Sequence, residues 1–178
     1  MPFPYPTLDL ATLDGTNGFS LAGAGTSVAS GDVNGDGIPD LVMGLAQGST
    51  SEGRAYVVFG RPDGFPATSS LSSLDGANGF RLTGRPNDFA GFSVATADVN
   101  GDGLADVVVS AMYGGIRPST YVVFGKATGF APNLNLATLS AADGFRIVGD
   151  NGFFGQSVSS AGDVNGDGVD DIIIGSPR

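Results

Sequence analysis

A chain of 178 residues with 30 Gly, 10 Pro and few charged side chains fits about one β-rich, turn-dense domain, with enough length to bury a core. The absence of Cys excludes disulfides and thiolate metal sites, and the absence of His removes both the commonest general base and the usual ligand for zinc or copper. A net charge of −10 argues against nucleic acid, whose binding is dominated by neutralisation of phosphates. No segment approaches the ~18 apolar residues of a membrane span, and residues 1–6 lack the basic and apolar regions of a signal peptide.

In chain order, residues 1–23 end in Phe19-Ser20-Leu21-Ala22-Gly23, a relative of Phe80-Arg81-Leu82-Thr83-Gly84 and Phe145-Arg146-Ile147-Val148-Gly149. A strand over 27–32 leads into the acidic nonapeptide 32–40, and a second strand over 41–44 follows it. The third strand is the run Tyr56-Val57-Val58-Phe59-Gly60, and the fourth is the Phe80 run. The order then repeats. Strands at 93–98 and 107–110 flank a second nonapeptide at 98–106, and Tyr121-Val122-Val123-Phe124-Gly125 precedes the Phe145 run. A third set begins at 157–163, carries its nonapeptide at 163–171, and continues through 172–175. Nonapeptide starts at 32, 98 and 163 set a period of 66 and 65 residues. Val107-Val108-Val109 and Ile172-Ile173-Ile174 are apolar without alternation, the pattern of strands buried on both faces.

The nonapeptides DVNGDGIPD, DVNGDGLAD and DVNGDGVDD place oxygen-bearing side chains at positions 1, 3, 5 and 9, with Gly at 4 and 6. Such alternation points several oxygens inward only if the backbone curls, which glycine permits by accepting positive φ. Calcium takes six to eight oxygens from carboxylates, amides and backbone carbonyls. The candidate ligands are Asp32, Asn34, Asp36, the carbonyl of Ile38 and Asp40 in the first loop. Asp98, Asn100, Asp102, Leu104 and Asp106 serve the second, and Asp163, Asn165, Asp167, Val169 and Asp171 the third. The apolar side chain at position 7 is expected to point into a core. An EF-hand is excluded, because its twelfth position requires Glu and here holds Met43, Val109 or Ile174. A plain Asn-Gly or Asp-Gly hairpin tip requires neither Asn at position 3 nor Asp at position 9. Three Ca²⁺ sites per chain would offset six of the ten net negative charges.

Four-stranded units of about 65 residues, each covered on both faces by its neighbours, describe β-propeller blades. The expected fold is all-β: three four-stranded antiparallel blades at about 24–84, 85–149 and 150–178, the last incomplete in this chain. Residues 1–23 would complete a blade, in a neighbouring copy. The chain resembles the FG-GAP repeats of the integrin α-subunit propeller and of many bacterial extracellular proteins. The third unit carries the motif as Phe154-Gly155-Gln156-Ser157-Val158, the acidic loop, and Gly175-Ser176-Pro177. The second departs with Phe89-Ala90-Gly91-Phe92-Ser93, and the first with Gly25-Thr26-Ser27-Val28 and a shorter approach to its loop. The resemblance implies that these loops join the first two strands of a blade and bind Ca²⁺ near one rim.

The function expected is a non-catalytic, calcium-stabilised scaffold for extracellular or cell-surface recognition or adhesion. Its expected partners are further copies, with a homodimeric six-bladed ring favoured, and a protein or glycan ligand. A lectin with sugars stacked on Tyr56, Tyr121, Phe65 or Phe130 is the alternative. A propeller hydrolase or lyase is a third reading, weakened because clustered aspartates are committed to the loops and Glu52 is the sole glutamate.

Overall fold

The computed structural model describes residues 9–23, 25–47, 52–112, 117–150 and 153–177. Among these it has thirteen strands and three single-turn 3-10 helices, and no helix long and apolar enough to cross a membrane. The first full sheet holds β2 (Ser27–Gly31), β3 (Asp40–Leu45), β4 (Arg54–Val58) and β6 (Gly79–Thr83), paired antiparallel in that order. The second repeats it with β7 (Ala90–Ala97), β8 (Asp106–Ala111), β9 (Ser119–Val123) and β11 (Gly144–Val148). In the third repeat β12 (Ser157–Gly162) and β13 (Asp171–Gly175) form an antiparallel pair.

Three short strands complete the topology. β1 (Ser20–Ala22) pairs in parallel with β5 (Thr68–Ser70), and β10 (Asn133–Asn135) pairs in parallel with β6. The first sheet is therefore five-stranded and mixed, not purely antiparallel as its pattern suggested. Each parallel partner comes from the connection between the third and fourth strands of the following repeat, so it laps over the outer strand of the repeat before it. These straps carry polar residues (Thr68-Ser69-Ser70, Asn133-Leu134-Asn135) and read as linker in the sequence. Their backbone groups are satisfied by the edge they cover: the Arg81 amide donates to the Pro132 carbonyl at 3.0 Å, and the Ser20 amide to the Ala67 carbonyl at 2.9 Å.

Of the two continuously apolar runs, Val107, Val108 and Val109 are fully buried as their pattern requires, whereas Ile173 in the Ile172-Ile173-Ile174 run is 60% exposed. Val42, Val57, Phe80, Leu82, Val107, Val109, Tyr121 and Val123 belong to one core spanning the first two sheets. Side-by-side contact of the inner strands is specified by hydroxyls. Ser27 Oγ accepts the Val94 amide at 2.9 Å, and its counterpart Ser93 Oγ accepts the Val158 amide at 3.1 Å. Burying a carboxylate demands partners. Asp88 Oδ2 has three: the Arg85 amide, the Arg85 guanidinium at 3.1 Å and the Tyr121 hydroxyl at 2.9 Å. Desolvation, with the Asp88 charge next, pushes the Tyr121 phenol up.

Glycine is required where the first two sheets touch. A Cβ at Gly44 on β3 would strike the Gly91 carbonyl, a backbone atom that cannot step aside. Gly44→Ala is expected to lower the unfolding free energy by about 1–3 kcal/mol, the usual cost of overpacking, as read from urea denaturation.

Candidate metal centre

Each acidic loop connects the first and second strands of its repeat, and each is wound by its own side chains. In the first, Asp32 Oδ1 accepts the amides of Gly35 (2.7 Å) and Asp36 (3.2 Å), while Oδ2 accepts that of Gly37 (2.8 Å). Asn34 Oδ1 accepts the Asp36 amide, Asn34 Nδ2 donates to Asp36 Oδ2, and Asp36 Oδ1 accepts the Ile38 amide. The second loop repeats the set through Asp98, Asn100 and Asp102. The third does so through Asp163, Asn165 and Asp167, apart from the side-chain bond between positions 3 and 5. Gly35 and Gly37 have φ of 75° and 82°, so the curl depends on the left-handed backbone that the two glycines supply. The Gly168 amide foremost, with those of Gly166 and Asp167, holds the Asp163 carboxyl below the usual carboxylate range.

The ninth residue acts differently. Asp40 and Asp106 are fully buried, and their carboxylates bridge two backbone segments. Asp40 Oδ2 accepts the Val33 amide at 2.9 Å and Oδ1 the Gly60 amide at 2.8 Å, just beyond β4. Asp106 does the same with Val99 (3.0 Å) and Gly125 (2.9 Å). Asp171 keeps the first bond, to Val164, and takes Asn165 Nδ2 at 3.4 Å in place of a third-strand amide. Desolvation raises Asp40, and raises Asp106 to about 6, with Asp102 and Asp98 adding repulsion.

Neighbouring loops are also joined. The Ala105 amide donates to the Asp32 carbonyl at 2.8 Å, and the Asp170 amide to the Asp98 carbonyl at 2.9 Å. Both donors occupy position 8, where the first loop has Pro39 and no amide hydrogen. The side chain at position 7 is half-buried and leans on the neighbouring loop: Leu104 lies beside Gly35, and Val169 beside Gly101. That corrects the expectation of a core-directed residue. Asp170 was not among the residues singled out in the sequence, although it bonds the Asp98 amide at 3.2 Å; its place beside the motif's last Asp was the only signal.

Among the described residues no group of three or more His, Cys, Asp or Glu side chains converges as a ready-made metal site. The donor chemistry nevertheless suits a hard cation, since every candidate side chain offers oxygen and the first, third and fifth positions are half-buried or exposed at the loop surface. Two acids outside the loops have structural bonds: Asp9 caps a helical turn, and Asp88 holds Arg85 and Tyr121. The proposed sugar platforms are occupied. Tyr56 and Tyr121 are buried, Phe65 stacks on Phe19 at 4.3 Å, and Phe130 stacks on Phe80 at 4.1 Å.

Repeated four-stranded sheets with an acidic loop between their first two strands define a protein of the β-propeller blade class. The chain belongs to the FG-GAP repeat family, which matches it over residues 24–58, 90–129 and 154–178. It is similar to Integrin alpha-V of Gallus gallus, 31% identical over 94% of this chain and 15% of that protein. It is also similar to Integrin alpha-PS2 of Drosophila melanogaster, 32% identical over 86% of this chain and 10% of that protein. Phosphatidylinositol-glycan-specific phospholipase D of Bos taurus is 32% identical over 89% of this chain and 19% of that protein. The chain thus spans less than a fifth of each of these relatives.

A carboxyl whose folded pKa is raised favours folding most below its unfolded pKa, and loses that contribution as pH rises through the folded value. For Asp106 the window runs from about 4 to about 6. In chelator, lowering the pH from 7 to 5 should therefore stabilise the parent by about 1 kcal/mol relative to Asp106→Asn, which cannot titrate. Urea denaturation of both proteins at the two pH values reads the difference.

Proposed function

We propose that the chain is a non-catalytic FG-GAP propeller module whose three loops each hold one Ca²⁺, and that it serves as a scaffold for recognition or adhesion outside the cell. The observation that carries this reading is the threefold recurrence of the same all-oxygen donor set on the same curled backbone. In the first loop Asp32, Asn34, Asp36, the Ile38 carbonyl and Asp40 would hold the ion. Asp98, Asn100, Asp102, Leu104 and Asp106 would hold the second, and Asp163, Asn165, Asp167, Val169 and Asp171 the third. The cation would supply no reaction; it would neutralise carboxylates crowded into one turn. Desolvation of Asp40 and Asp106 supports this, because a cation favours the ionised form that burial disfavours. The proposed blade units remain 24–84, 85–149 and 150–178.

The integrin α relatives support the scaffold reading. The phospholipase D relatives carry an enzyme's name; the non-catalytic reading rests on the integrin α relatives and on the commitment of the clustered aspartates to the loops. Burial and stacking of the four aromatic rings remove the feature that favoured a lectin. Partners in this reading are further copies of the chain and a protein ligand. Calcium near millimolar concentration, as outside cells, matches a structural role.

A site at one hundred times its dissociation constant adds about 2.7 kcal/mol to stability. Asp36→Ala, Asp102→Ala and Asp167→Ala should each lose up to that amount in saturating calcium, and differ much less from the parent in chelator. Scanning calorimetry in the two buffers checks this. Identical melting of the parent with and without chelator would sink the calcium reading.

A further inference from the structure

Each acidic loop carries an Asn-Gly pair at its third and fourth positions: Asn34-Gly35, Asn100-Gly101 and Asn165-Gly166. Asn-Gly is the pair most prone to lose ammonia without an enzyme, because glycine has no Cβ to obstruct the side chain before it. The glycine nitrogen attacks the Asn Cγ. The N–Cγ bond forms, the Cγ–Nδ2 bond breaks, and ammonia leaves with the proton that the glycine amide gives up. Water then opens the cyclic imide at either carbonyl, leaving aspartate, or isoaspartate with an extra methylene in the backbone. Burial does not prevent this here. Gly35, Gly101 and Gly166 are exposed, as are Asn100 and Asn165, and Asn34 is half-buried.

Both reacting groups are nevertheless held. The Gly35 amide donates to Asp32 Oδ1 at 2.7 Å, the Gly101 amide to Asp98 Oδ1 at 2.8 Å, and the Gly166 amide to Asp163 Oδ1 at 2.6 Å. The amide must surrender this proton before its nitrogen can attack. A carboxylate at hydrogen-bond distance disfavours the anion that deprotonation would leave, and is itself far too weak a base to take the proton. The Asn side chain is pinned as well. Oδ1 of Asn34, Asn100 and Asn165 accepts the amide two residues on, at 2.9 Å in every loop. In the first two loops Nδ2 also donates to the Asp36 or Asp102 carboxylate, at 2.9 and 3.0 Å. The carboxamide is thus turned toward the fifth residue of the loop, while the glycine N–H is turned toward the first.

We propose that the three Asn-Gly pairs are conditional modification sites, guarded by the first aspartate of their loop and converted to aspartate or isoaspartate when the curl opens. The change is one-way. It removes the Nδ2 donor that Asp36 and Asp102 accept and sets a carboxylate against each of them instead. Isoaspartate also lengthens the backbone between the third and fourth positions, which displaces the amides that Asp32 and Asp98 hold. A loop open long enough to react therefore does not wind again in the same way. None of this rests on the calcium reading, since every guarding bond lies within the chain.

Mass spectrometry of proteolytic peptides reads the conversion of each loop separately, as replacement of the side-chain NH2 by OH. At mildly alkaline pH in chelator, the folded parent should convert Asn34, Asn100 and Asn165 at least about tenfold more slowly than the same protein in urea, the factor carried by one hydrogen bond to a charged group. Asp32→Ala should speed Asn34 by a similar factor and leave Asn100 and Asn165 at the parent's rate. Asp98→Ala should speed Asn100 and spare Asn34 and Asn165. The untouched loops of each variant thus report on its fold within the same molecules. Three results would overturn the proposal. The first is a folded parent that converts as fast as it does in urea. The second is a variant in which all three loops speed up together, which would place the protection in the fold as a whole. The third is a variant whose altered loop converts no faster than its neighbours.

Discussion

A carboxylate buried at the base of each complete repeat, accepting two backbone amides from separate segments, is the contact on which loop and sheet both depend. Asp40 joins Val33 at the loop entry to Gly60 beyond the third strand, and Asp106 joins Val99 to Gly125. Each buried amide would otherwise lack a partner, at a cost of about 1–3 kcal/mol. A neutral side chain with a single acceptor could not serve both. The same carboxylate thus fastens the loop entry to the segment beyond the third strand. Its desolvation is the electrostatic cost of that buried position.

From this fastener the coupling runs outward. Loop geometry set by Asp32 leaves its carbonyl to accept the Ala105 amide of the next loop, and Asp98 does the same for Asp170. Inner strands meet through Ser27 and Ser93, and outer strands are lapped by straps. Each repeat is therefore tied to its neighbour at rim, inner strand and outer edge. That is the nearest-neighbour logic of repeat proteins, in which interfaces between units carry much of the stability.

Much of this was legible in the residues, because period and chemistry coincide. The recurrence of DVNGDG at 32, 98 and 163 located the loops, and unbroken runs such as Val107-Val108-Val109 located the buried strands. The straps were not legible. Thr68-Ser69-Ser70 lacks apolar alternation, and its pairing is decided by an outer strand 48 residues away in sequence. The fastening role of position 9 was hidden for a related reason: a carboxylate that bonds backbone amides has the same letter as one that holds an ion. Only Gly60 and Gly125, distant in sequence, reveal it.

The third repeat separates the two roles. Without a third-strand amide, Asp171 is half-buried, turns Oδ1 toward Asn165, and keeps only the bond to Val164. Its loop is nevertheless wound by the same Asp163 bonds as the other two. The curl therefore comes from the first residue and the glycines, and burial of the ninth comes from the completed sheet. Desolvation is what raises Asp106, so the sheet that buries the ninth residue also makes its charge costly.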